Sequence, residues 1–133
     1  MGNRKRLIYF HLVWSVSDGY QLLTKEIERP IYRCITDQIH KLKCQVLAIN
    51  SVPDHIHLVV KVRSTISIAF LVKQAKGVSS KLANDQLVIP NKFRWRPGYG
   101  AFTISRWDLS KIINYVNNQK NHHYESTFLN DLE

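Results

Sequence analysis

The sequence predicts an α+β fold: an antiparallel sheet with helices packed on one face and a further helix at the C-terminal end. Three observations carry this. Several segments alternate apolar and polar side chains at period two, the signature of half-buried strands. Others repeat apolar residues at helical spacing. Their order along the chain is strand, helix, strand, strand, helix, strand, then a last helix, which is the ferredoxin-like split βαβ arrangement, βαββαβ.

The elements follow in order. "RLIYFHLVWSV" puts Ile8, Phe10, Leu12, Trp14 and Val16 on one face of a first strand. A turn follows around "SDGY". The first helix is placed after Pro30, since proline suits a first helical turn, and Ile31, Ile35, Ile39 and Leu42 form its buried stripe. "CQVLAINSV" and "HIHLVVKV" are two strands joined through Pro53 and Asp54, both turn formers, so they pair as a hairpin. A second helix runs from about Ser67, with Ile68, Leu71, Val72, Ala75, Val78 and Leu82 as its stripe. "FRW" and "GYGAFTIS" read as one or two short strands. The last helix begins at "SRWD", where Ser105 and Asp108 have capping-box-like spacing.

Composition narrows the function. The 133 residues suit one domain, residues 1–133, and 44% apolar content is enough for a core. No apolar run approaches the roughly 18 residues of a membrane span. The opening segment lacks the shape of a secretory signal. Cys34 and Cys44 have neither metal-ligand spacing nor a disulfide framework. A cytoplasmic, reducing location is the expectation. No GxxxxGK[ST] loop is present, so no nucleotide cofactor is expected.

Charge points to a polyanion. Nineteen Lys and Arg against ten Asp and Glu give +9, with a pI near 9.8. Arg4, Lys5 and Arg6 open the chain, and Lys73, Lys76, Lys81, Lys92, Arg94 and Arg96 fall together with only Asp85 against them. Nucleic acid is the simplest partner for such a domain. A solvated basic face is the plainer reading. Trp95, flanked by Arg94 and Arg96, could stack on a base while the arginines hold phosphates. It could equally be a core tryptophan of an edge strand.

The chemistry-bearing stretch is "PDHIHLVV". On that strand Ile56, Leu58, Val60 and Val62 face one way, and His55, His57, Val59 and Lys61 the other. The sheet leaves this second face open in a two-layer fold. An exposed polar strand face would explain the histidines without function. Two imidazoles on one face can also hold one metal ion from one side, but a tight site needs a third ligand. The last helix supplies Tyr115 and Gln119, four apart and on one helical face. A side-chain amide oxygen is a hard ligand suited to Mg²⁺ or Mn²⁺. His11 and His40 read as structural or exposed.

These segments carry a resemblance. "HLVWSV", "PDHIHLVV", "ISIAFLVKQAKGVSSK", "GYGAFTIS" and "YVNNQKNHH" occur in the order seen in the single-tyrosine HUH transposases, the insertion-sequence two-hundred-like family. The resemblance runs nearly end to end. It implies a metal pair at His55 and His57, a nucleophile at Tyr115 and a third ligand at Gln119. It also implies a ferredoxin-like homodimer with active sites shared between subunits. Such enzymes cut single-stranded DNA beside hairpins at element ends, join the tyrosine to the 5′ phosphate, and rejoin strands by a second transesterification. Two other readings remain: a non-catalytic single-stranded nucleic-acid-binding module, and a related HUH replication or relaxase-type nickase.

Overall fold

The computed structural model describes residues 7–122. Its elements are β1 (Leu7–Ser15), α1 (Lys25–Lys41), β2 (Gln45–Val52), β3 (His55–Arg63), α2 (Ile68–Gln86), β4 (Gly100–Ile104), α3 (Leu109–Asn117) and α4 (Gln119–His122). The four strands form one antiparallel sheet in the order β2-β3-β1-β4. This is the expected ferredoxin-like α+β arrangement.

The two faces follow the period-two pattern. Leu12 and Trp14 of β1, Val16 just beyond it, and Ile56, Leu58, Val60 and Val62 of β3 point into one core. Ile27, Ile31, Ile35 and Ile39 of α1 and Leu71, Val72, Ala75 and Ala83 of α2 close it from outside. The α2 stripe is rotated slightly from the expected one. Ser79 and Ala83 are fully buried, while Val78 and Leu82 are only half-buried. Small residues are needed there because Trp95 packs against this part of the helix, its Nε1 donating to Ser79 Oγ at 2.9 Å.

Three expectations are corrected. First, α1 starts at Lys25 with Thr24 as its N-cap, so Pro30 lies inside the helix. Burial of Ile27 on the same stripe holds this extra turn, outweighing the one hydrogen bond that Pro30 cannot donate. Secondly, "FRW" forms no strand, only a single bridge from Trp95 to Val16. Thirdly, the last helix is not continuous from Ser105. Ser105 and Asp108 do contact each other, with Ser105 Oγ donating to Asp108 Oδ2 at 3.1 Å, but they close a turn ahead of α3. The helix then breaks at Asn118, between Tyr115 and Gln119.

The second sheet face is also not open. Leu109, Ile112, Ile113, Tyr115 and Val116 of α3 pack on Tyr9, Leu47, Ala48, Val59 and Ile104 of the same chain's sheet. Val59 is the reason: an apolar residue on the histidine face needs cover, and α3 is amphipathic enough to give it. The fold thus has three layers, α1 and α2, the sheet, and α3. Among the described residues no helix is long and apolar enough to cross a membrane.

Candidate metal and tyrosine site

His55 and His57 sit at the start of β3, on the face that α3 covers. Their ring centroids are 5.0 Å apart. His57 is fully buried, and burial, helped by the neighbouring His11 and His55, pushes its pKa down to about 2. Burial likewise holds His11 down at about 4. Both imidazoles are therefore neutral at pH 7, the state in which a ring nitrogen can bind a metal.

Both histidines are oriented through Nδ1. His55 Nδ1 lies 2.7 Å from Asp54 Oδ1, and His57 Nδ1 lies 2.9 Å from His11 Nε2. An Nδ1 proton donated to these partners leaves each Nε2 as the ligating atom, the usual support of a metal-bound histidine. Sequence reading treated His11 as structural or exposed. The signal that finds it is register: His11 and Val13 share a face, and Val13 pairs directly with His57.

Tyr115 is brought to the same place. Its ring centroid is 6.4 Å from those of His57 and His11, edge-on to both. Gln119, one turn on, has no accessible surface, and neither its Oε1 nor its Nε2 has a hydrogen-bond partner among the described residues. A buried amide with both atoms unused is costly unless something binds it. Among the described residues no three His, Cys, Asp or Glu side chains are placed to hold a metal ion. Gln119 offers a donor of another kind, an amide oxygen, on the helix that follows Tyr115. The residues present therefore suit a hard divalent ion.

The basic residues divide. Lys73, Arg94 and Arg96 are exposed. Lys76 is not a free cation: its Nζ donates to the carbonyls of Arg96 and Gly98 at 2.7 and 2.9 Å, tying α2 to the loop before β4. Burial lowers its pKa. Lys76, Lys92, Arg94 and Arg96 line an open groove of about 440 Å³ with Ser80 and Asn84. Trp95 is corrected. It is buried, packed edge-on to Trp14 and Phe93 at 5.9 and 4.8 Å, and bonded to Ser79, so its ring is not available to a base. Arg4, Lys5 and Arg6 lie outside the described residues.

A ferredoxin-like sheet with a His-x-His strand and a tyrosine helix laid across it defines a class, and the sequence comparisons give it the same identity. The chain belongs to the IS200-like transposase family, whose model matches residues 4–119. It is similar to the ISDra2 transposase TnpA of Deinococcus radiodurans, 27% identical over 115 residues, which cover 83% of this chain and 82% of that protein. It is also similar to the crystal structure of a candidate transposase from Deinococcus radiodurans R1. There the TM-score is 0.65 and the identity 25%, over 86% of this chain and 92% of the other. The fold matches a REP-associated tyrosine transposase bound to a REP hairpin, with TM-score 0.68 and 11% identity over 87% of this chain and 68% of that one.

Proposed function

We propose that this transposase-family chain is a single catalytic domain that cuts and rejoins single-stranded DNA beside hairpins, through a tyrosine–DNA intermediate. The observation that carries the reading is the meeting of Tyr115 with the His55–His57 pair, at 6.4 Å between the Tyr115 and His57 rings. Residues nearly sixty apart in sequence meet on one face of the sheet, which supports the reading.

Tyr115 Oη attacks the scissile phosphorus. The new Oη–P bond replaces the P–O3′ bond, the tyrosine proton passes to solvent, and the departing 3′ oxygen takes a proton to become a hydroxyl. The 5′ phosphate stays on Tyr115. Attack by another 3′ hydroxyl reverses the sequence on a new strand, so no ATP is consumed. A tyrosine with an ordinary pKa near 10 is a weak nucleophile at pH 7. His55, His57 and Gln119 would hold Mg²⁺ or Mn²⁺, which polarises the phosphate and orients it for in-line attack.

The DNA partner fits the charge of +9 and the exposed Lys73, Arg94 and Arg96. The hairpin-bound structural neighbour supports a hairpin ligand. Trp107, 88% exposed between Arg106 and Asp108 in the turn ahead of α3, replaces Trp95 as the aromatic for stacking on a base. The working form is a homodimer with shared sites. The α3 contacts within one chain are the contacts a partner's α3 would make, so exchange between subunits costs little.

The test is direct. The protein is incubated with labelled single-stranded DNA from the flanks of its own gene, with Mg²⁺ or with chelator. A covalent adduct that appears only with metal supports the reading. Tight binding without any adduct would favour a non-catalytic binding module.

A further inference from the structure

Gln119 stands in a helix too short to hold itself. α4 has four residues, and a single turn has no stability of its own. Something outside it must set where Gln119 points. The break before it is fixed by Asn50. The last carbonyls of a helix lack intrahelical partners, and Asn50 Nδ2 donates to two of them, Val116 O at 3.0 Å and Asn117 O at 3.1 Å. Asn50 stands directly across from His57 in the β2–β3 register. The end of the tyrosine helix is therefore pinned one strand away from the metal pair.

Lys120 completes the hold. Its ammonium has three N–H donors, and three acceptors converge on it: Glu28 Oε2 at 2.6 Å, Ser51 O at 2.7 Å and Asn50 Oδ1 at 3.0 Å. β2 is an edge strand, so the lysine can reach over it from the α3 face to α1 on the other side. Glu28 is held ready on that side, accepting from Tyr32 Oη at 3.3 Å and Ser51 Oγ at 3.2 Å. Asn50 links the two halves, its amide nitrogen on α3 and its oxygen on Lys120.

We propose that Asn50 and Lys120, with Glu28 as anchor, are positioning residues: they latch the α3–α4 break to the edge of the sheet and so present Gln119 as a metal ligand. This rests on the reading of His55, His57 and Gln119 as the metal site. As a surface ion pair alone, Lys120–Glu28 would contribute little stability. Its role is geometric.

The experiment titrates chelator-treated protein with Mn²⁺ in the absence of DNA, followed by electron paramagnetic resonance. Lys120→Met keeps the stem and loses the charge, and Asn50→Leu keeps the size and loses both polar ends. Each should weaken Mn²⁺ binding about tenfold, the low end for residues that orient metal ligands. Amide exchange at residues 116–120 should quicken in both, with β3 still protected, which shows that the fold is intact. In a Gln119→Ala background, adding Lys120→Met should cost nothing more. Unchanged Mn²⁺ affinity in both single variants, or a full further loss in the Gln119→Ala background, would overturn the latch while leaving the adduct assay untouched. Absence of Mn²⁺ binding by the unsubstituted protein would overturn the metal site and the latch together. A protein that binds Mn²⁺ but forms no adduct would sink only the proposed reaction.

Discussion

His11 Nε2 lies 2.9 Å from His57 Nδ1, a contact between β1 and β3 in the buried layer beneath α3. It fixes the ring of the buried histidine and, with Nδ1 protonated, directs Nε2 away from the contact. The first prediction follows. His11→Phe fills the space but removes the acceptor, so Mn²⁺ affinity should fall about 10–100-fold. His40→Ala, on the exposed side of α1, should have no effect. Equal affinity in the His11→Phe protein would show that the contact is only packing.

Tyr115→Phe removes one oxygen and keeps a ring that packs among Val116, Val59 and Ile104. Hairpin DNA should still bind, and Mn²⁺ affinity should change less than threefold. The covalent adduct should disappear on a denaturing gel. Adduct at the normal yield would assign the nucleophile elsewhere.

Stability should fall in acid. Burial holds His57 at about 2 and His11 at about 4, both below the ordinary 6.5. Between pH 6.5 and about 4 the unfolded chain binds protons that the fold refuses. The stabilisation is complete above pH 6.5 and is lost as the pH drops through that window, by up to about 1.4 kcal/mol per pH unit for each histidine. Urea unfolding of chelator-treated protein should show a lower midpoint at pH 5 than at pH 7.5, with a shallower drop in His11→Phe. A pH-independent midpoint would contradict the buried, neutral pair.

Trp95 and Trp107 should separate cleanly. Trp95→Ala opens a cavity beside Trp14 and Phe93 and should cost about 3–5 kcal/mol of stability. Trp107→Ala should leave stability within about 0.5 kcal/mol and weaken single-stranded DNA binding by about 1–3 kcal/mol. Thermal melting and fluorescence anisotropy measure the two. The opposite pattern would return base stacking to Trp95.

Sharing of sites is tested by mixing Tyr115→Phe with His57→Ala protein and allowing subunits to exchange. With exchanged α3 helices, a heterodimer holds one doubly defective site and one intact site, and cleavage returns. If every chain keeps α3 on its own sheet, each site carries one defect. No recovery after proven exchange would restrict cleavage to sites built within one chain.

The sequence by itself determined the sheet and its two faces, and it named the candidate groups of the proposed site. Strand alternation depends on local geometry: residues two apart share a face whatever the rest of the chain does. Hence Ile56, Leu58, Val60 and Val62 were readable as core, and His55 and His57 as a pair on the other side. What the tertiary structure decided was everything that depends on which surfaces meet. Pro30 moved from the start of α1 to its interior because Ile27 had core to bury against. The histidine face is covered, not open, because α3 brings Val116 and Ile113 onto Val59. Trp95 lies between two arginines in sequence yet is buried, since its neighbours in space are Trp14, Phe93 and Ser79. His11 and Lys120 lie within segments that carry the family resemblance and Asn50 lies in β2, but nothing in those segments marks the part proposed for each. Their roles exist only because the β2-β3-β1 order sets Asn50 and Val13 on either side of His57, and hydrogen bonds form between groups that are near in space, however far apart they lie along the chain.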